Sequence, residues 1–254
     1  MAPQDPSAPS DETSADRPVP GSEGERWLGI LQPVFLPWLG YFDQMARVDH
    51  FVFQDDVQYT RHDWRNRNRI RTANGPTWLT VPVHARRDDT INEVAIDRGR
   101  DWLTKHVRTL RQAYARAPYT EQVVQDYAAI AGSDVDRLVD LTIPMVHWIA
   151  ERLGATTPTS CASDVPGRAG ADLNERILEI ARYHDATGLY LGAKAAEYVP
   201  PAFYRPYGIT VVFQDYEHPV YPQVHGGFEP FMSAVDLLVN VPADEIADIV
   251  GWAG

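Results

Sequence analysis

The sequence predicts an α/β fold, a mostly parallel sheet flanked by helices with a largely helical middle block. Three observations predict it. Short apolar runs at 28–31, 50–54, 189–191 and 209–213 each stop at polar or turn-forming residues, as buried strands do. Helix-period segments alternate with them at 38–46 and 173–183, the pattern of strands joined by helical crossovers. Between the two halves, residues 101–153 carry helix-period apolar positions punctuated by Pro118, Gly132 and Pro144.

The elements follow in order. Residues 1–25 are rich in Pro, Ser, Asp and Glu, which predicts a disordered tail ahead of one domain over 26–254. The first apolar run stops at Gln32-Pro33, and Pro33 and Pro37 bracket a rigid loop. Trp38, Leu39, Phe42, Met45 and Ala46 recur at helical spacing. The run His50–Gln54 ends in Asp55-Asp56. Residues 61–75 read as a polar, aromatic-containing segment ending in the turn signal Asn74-Gly75. Trp78–Val83 is β-rich, and its Pro82 marks an edge or a strand end. A charged loop follows at 84–90, then a short strand at 94–96. Trp102, His106, Leu110 and Tyr114 share one helical face. Pro144 should kink or restart its helix. Residues 154–170 read as a linker or surface loop and a candidate lid. Leu173–Tyr183 is an amphipathic helix capped by Asp172 or the residue before it. After the strands at 189–191 and 209–213, helices over 229–240 and 243–250 close the chain. The helical block interrupts the alternation, so the spacing leaves the strand order open.

Composition excludes several classes. The single cysteine, Cys161, rules out an intrachain disulfide and a cysteine-cluster metal site. No apolar run approaches the roughly 20 residues of a membrane span. The N-terminus has no basic-then-apolar signal, so a cytoplasmic location is expected. A formal charge of −12 argues against nucleic-acid binding. The 61–71 segment is nonetheless basic, with Arg61, Arg65, Arg67, Arg69 and Arg71 opposed only by Asp63, and such a patch suits an anionic small molecule. No glycine-rich GxGxxG or P-loop signature and no G-x-S-x-G elbow occurs. Trp38-Leu39-Gly40-Tyr41 stands where nucleotidyltransferase-type folds place His-x-Gly-His, which disfavours adenylyl transfer by that chemistry. No cofactor is expected.

The blocks QPVFLPWLGYFDQM, FVFQDDVQY, WRNRNRI and WLTVPV resemble, in order and spacing, the N-terminal blocks of the WbqC-like protein family. The resemblance continues through DWLTKHVRTLRQAYARAPY, GLYLGAKAAEYV and YPQVHGGFEPFMSAVDLLVN, and so covers roughly residues 28–240. That family occurs among bacterial O-antigen genes and in other biosynthetic clusters. The resemblance therefore implies a cytoplasmic group transferase in glycan or specialised-metabolite assembly, with acyl or aminoacyl transfer to an amine, such as an amino sugar, as the preferred reaction. A non-catalytic ligand-binding or scaffold subunit of a biosynthetic complex is the alternative.

Ligands of parallel sheets sit beyond the strand carboxyl ends, which here carry Gln32 and the pair Asp55 and Asp56. Either carboxylate could serve acid–base work; being adjacent, they point to opposite faces and do not make a DxD-type metal pair. Gln58, Trp64, Arg65, Asn66 and Arg67 could hold an anionic or sugar-like ligand, nucleotide- or carrier-linked, or could simply be a solvated loop face. His106, on an aromatic face, is either a hydrogen-bonded structural residue or the first candidate for a general base. Tyr190, Lys194, Tyr198, Tyr221 and Gln223 follow the later strands. Ser233 and Asp236 share a helical face but imply no serine triad, and Cys161 reads as an incidental thiol. If the strands are parallel in one sheet, the two sets meet in one cavity, with His106 near its rim.

Overall fold

The strand Trp27–Leu31 (β1) lies at the centre of a five-stranded sheet in the computed structural model, which describes residues 24–167 and 172–252. All but the last two residues of the expected tail fall outside the described residues. In chain order the other strands are β2 His50–Phe53, β3 Arg67–Thr72, β4 Gly75–Thr80, β5 Val83–His84, β6 Ala95–Ile96, β7 Thr159–Cys161, β8 Gly188–Leu191 and β9 Thr210–Phe213. The helices are α1 Leu39–Ala46, α2 Trp102–Ala113, α3 Thr120–Ala131, α4 Leu138–Leu153, α5 Leu173–Tyr183, α6 Pro201–Tyr204, α7 Val235–Asn240 and α8 Ile246–Val250.

The sheet runs β7-β2-β1-β8-β9, and every pairing in it is parallel. The chain winds outward from β1 through β2 to β7, then returns to β8 on the other side of β1. The order thus reverses between β1 and β8, which opens a crevice at their carboxyl ends. Alternate residues face opposite layers. Trp27, Phe51, Phe53 and Tyr190 pack with α1 and the middle helices, while Leu28, Ile30, Val52 and Leu189 pack with α5 and Tyr204 of α6. Gly188 is needed where the Trp27 ring crosses β8: a Cβ there would sit 2.4 Å from the ring.

Four local expectations are corrected. The polar segment at 67–72 is a strand, because alternate residues Asn68 and Ile70 are buried while Arg67, Arg69 and Arg71 face the other way; it pairs with β4 across a two-residue turn. Helix α4 runs through Pro144 without restarting, since Pro144 and Asp140, whose carbonyl loses its partner, both lie on the exposed side where water serves it. Within the presumed linker, Thr159–Cys161 forms the edge strand beside β2; residues 168–170 of that stretch lie outside the described residues. The closing helix begins only at Val235, because the Ser233 and Ala234 N–H groups bond instead to the Arg69 and Pro37 carbonyls. Among the described residues, no helix is long and apolar enough to cross a membrane.

Candidate functional site

A cavity of about 880 Å³ opens at the carboxyl edge of the sheet, at the crevice between β1 and β8. Its floor comes directly from the strand ends: Gln32 follows β1, Gln54 follows β2, Gly192 to Lys194 follow β8, and Gln214 follows β9. The first residue past β1, β2, β8 and β9 lines this crevice. Here three of those positions are glutamine.

The loop between β1 and α1 is held rigidly. Asn68, buried on the inner face of β3, donates through Nδ2 to the Phe35 and Leu36 carbonyls at 3.1 and 2.8 Å. Leu36, fully buried, has a φ of 46°, a left-handed backbone that this anchoring sustains. The Phe35 N–H bonds to the Trp64 carbonyl at 3.1 Å, which ties the loop to the basic segment. Gly40 lies under the Trp38 ring, where a Cβ would meet ring carbons at 2.1 Å.

The amides of the floor are oriented by their nitrogens. Gln44 Nε2 donates to the Tyr190 carbonyl at 2.9 Å. Gln214 Nε2 donates to the Gly40 carbonyl and to Asp43 Oδ2 at 2.7 and 2.8 Å, and Gln58 Nε2 to the Arg87 carbonyl at 2.8 Å. Carbonyls and carboxylates only accept, so each amide engages them through Nε2, which leaves Oε1 as its accepting end. Gln32 Oε1 is itself buried without a hydrogen-bond partner. The Tyr41 hydroxyl donates to the Gln32 carbonyl at 3.2 Å, and burial pushes its pKa far up, so it stays protonated.

Three cations border the cavity: Arg65, Arg69 and Lys194. Burial lowers the Arg65 pKa, and Asp63 at 3.3 Å is its ion-pair partner. The Nε atoms of Arg65 and Arg69 are buried without hydrogen-bond partners. Trp38, Tyr216 and Phe231 form an aromatic wall, with Trp38 ring centroids 5.3 and 5.5 Å from the other two. Phe231 holds a φ of 60°. Among the described residues that line the cavity, none is Asp, Glu, His or Cys.

Of the residues singled out in the sequence, Gln32, Gln58, Trp64, Arg65, Lys194 and Tyr198 line this one cavity, so the N-terminal and C-terminal sets do meet. The others do not line it. Asp55 accepts from Ser163 N and Oγ at 2.9 and 2.7 Å and from Asn92 at 3.3 Å, which ties the segment after β7 to the end of β2. Asp56 pairs with Arg176 of α5 at 3.1 Å. Asn66 is buried and donates to the Val81 carbonyl. Arg67 lies over the Trp78 ring at 4.3 Å. Tyr190 is fully buried, with its hydroxyl 3.5 Å from Asp43. Tyr221 and Gln223 donate to Asp236, at 3.0 and 2.7 Å, and Tyr114 completes this buried hub at 2.8 Å. Asp236 belongs to that hub, and Ser233 bridges to Trp38.

His106 is not at the rim. It sits under β4, with Nδ1 2.6 Å from the Tyr127 hydroxyl and Nε2 3.1 Å from the Thr80 carbonyl. The apolar face that carries it packs inward and takes the ring with it. Burial pushes its pKa down to about 4. Burial raises the Cys161 thiol to about 12, which keeps it protonated. Among the described residues, no three His, Cys, Asp or Glu side chains come together as a metal-holding group.

Sequence reasoning passed over Gln44, Gln54 and Gln214, and took Asn68 and Arg69 only as part of the polar, basic segment. The available signal was positional: Gln54 and Gln214, like Gln32, are the first residues beyond apolar runs. A second cavity of about 360 Å³ lies at the opposite edge, near Val48, Asp49 and Pro158, away from these groups.

A family model described as the WbqC-like protein family matches residues 32–248. The chain is 37% identical over 221 residues to "Uncharacterized protein Rv1507c" of Mycobacterium tuberculosis, an alignment covering 85% of this chain and 94% of that protein. No solved structure matches.

Proposed function

The chain belongs to the WbqC-like protein family, and from that premise and the cavity we propose that it is a group transferase of bacterial glycan or specialised-metabolite biosynthesis. The proposed reaction is transfer of an acyl or aminoacyl group to an amine, such as that of an amino sugar. One observation carries this reading: the switch-point cavity combines an amide floor, aromatic walls and Arg65, Arg69 and Lys194, with no carboxylate among its described lining residues, inside a chain of net charge −12. Such a lining selects an anionic, hydroxyl-bearing molecule.

In the reaction, the neutral amine nitrogen attacks the carbonyl of an activated acyl group, the activating group departs with the C–X electron pair, and the nitrogen sheds its proton to solvent. The lining supplies orientation and charge stabilisation, which can provide several kcal/mol without a protein base. Lys194 and Arg65 would face the developing oxyanion or the anionic end of a substrate.

The test is incubation of the purified chain with activated acyl donors and amino-sugar acceptors, followed by mass spectrometry of the amide product. Product formed by the wild type and reduced about tenfold by Arg65→Gln and Lys194→Gln supports the transferase. A second reading, a non-catalytic binding subunit, draws on the lack of any Asp, Glu, His or Cys among the described lining residues. Anion binding without turnover of any donor–acceptor pair, together with a stoichiometric partner recovered from the host, would favour it over the first.

A further inference from the structure

The polarity of the cavity changes with depth. At the bottom lie the amides of Gln44 and Gln214, 1% and 7% exposed, whose tied nitrogens leave accepting oxygens. An accepting but uncharged floor suits the hydroxyl and amine hydrogens of a sugar; carboxylates there would repel a nearby anion. Above it stand Arg65, Arg69 and Lys194, which match a diphosphate in charge and in donor geometry.

Outermost is an aromatic plate. Trp64 lines the cavity and is 39% exposed, and its ring centroid is 5.1 Å from that of Trp78, 42% exposed, on β4. The Arg69 guanidinium lies 5.5 Å from the Trp64 ring and 5.9 Å from the Trp78 ring, while Arg67 covers Trp78 at 4.3 Å. Large exposed aromatics backed by arginines are costly on a surface with nothing to cover, and they form a good face for a flat heterocycle.

We infer that the acceptor is a nucleoside-diphosphate-linked sugar, bound with the sugar on the amide floor, the diphosphate at Arg65, Arg69 and Lys194, and the base stacked on Trp64. This rests on the proposed reading of the cavity as an anion-binding substrate site. It chooses a nucleotide over a pantetheine-type carrier, which offers phosphate but no flat ring to the plate.

The experiment is calorimetric titration of the full chain with uridine, thymidine, guanosine and adenosine diphosphates, with inorganic pyrophosphate as the base-free probe and phosphopantetheine as the carrier probe. At least one nucleotide should bind about tenfold to a hundredfold more tightly than pyrophosphate, the margin that stacking of one base supplies. Trp64→Leu should erase that margin, so that nucleotide and pyrophosphate bind alike, whereas Trp64→Phe should keep most of it. An unchanged circular dichroism spectrum and melting transition verify that the Leu variant is folded. Equal binding of nucleotides and pyrophosphate, or tighter binding of phosphopantetheine, would overturn the inference and leave the anion-site reading standing. Failure of all the anions to bind would remove both.

Discussion

His106 tests whether a histidine in a polar-rich sequence is doing chemistry or holding structure. Its Nδ1 is hydrogen-bonded to the Tyr127 hydroxyl at 2.6 Å, and its Nε2 lies 3.1 Å from both the N–H and the carbonyl of Thr80, so the ring tautomer sets which of the two it engages. The ring packs between Trp102, Phe35 and Tyr127, with centroids at 5.2, 6.0 and 6.2 Å. His106→Phe keeps the volume but strands the buried Tyr127 hydroxyl and takes from the Thr80 backbone its ring partner, at a cost of about 1–3 kcal/mol. His106→Ala adds a cavity and should cost about 3–5 kcal/mol.

The pH dependence separates the roles further. The native ring titrates at about 4, against 6.5 for the free side chain. The unfolded chain therefore takes up a proton that the native chain refuses, so this residue's contribution is fully present above pH 6.5 and is lost as pH falls through about 4. At 1.36 kcal/mol per unit, the full loss is roughly 3 kcal/mol, and about 2 kcal/mol is gone by pH 5. His50, also pushed down to about 4 by burial and by His184 and Arg26, adds to the slope in the same direction, so the informative quantity is the difference between wild type and variant. Urea midpoints measured from pH 7.5 to 4.5 should fall steeply for the wild type and less steeply for His106→Phe, with anion binding at pH 7.5 retained. A variant that matched the wild-type slope, or kept full stability while losing turnover, would refute a structural role.

Asp236→Ala should cost about 3 kcal/mol or more in thermal unfolding, because two buried tyrosine hydroxyls and an amide lose their acceptor. Burial raises the Asp236 pKa despite those donors, so its native state holds the proton to higher pH than the unfolded chain; stability should decline as pH rises through that native value, and Asp236→Asn should flatten the decline. Gly40→Ala gains up to ~1 kcal/mol of helix propensity but drives a methyl into the Trp38 ring. Overpacking of about 1–3 kcal/mol should win, and displacement of Trp38 from the cavity wall should weaken anion binding measurably by calorimetry. Raising the salt from 0.05 to 0.5 M should weaken pyrophosphate binding to the wild type more than to Arg65→Gln, since the lost charge carries part of the screened attraction.

The sheet was legible because its signal is redundant. Leu28, Ile30, Val52 and Leu189 must be apolar to be covered on one face and Phe51, Phe53 and Tyr190 on the other, so each parallel strand reads as an unbroken apolar run. β3 was not, because its outward face is three arginines and its inward face holds Asn68, whose burial is compensated by carbonyls over 30 residues away in sequence. No local pattern reports a partner at that distance. The same holds for the site. Charged residues draw attention, yet Asp55, Asp56 and Asp236 are occupied in tying segments together. The residues that face the cavity floor are glutamines, whose chemistry is neutral and whose direction is decided by where their Nε2 finds a carbonyl. Position is what gives them meaning: a glutamine one step beyond a buried parallel strand has its backbone N–H still in the ladder, as Gln54 does to Leu31 and Gln214 does to Leu191. Its side chain is then delivered to the crevice with little freedom left. A substrate that meets such groups finds acceptors already oriented, and the binding energy saved on ordering is available for holding two reactants in line.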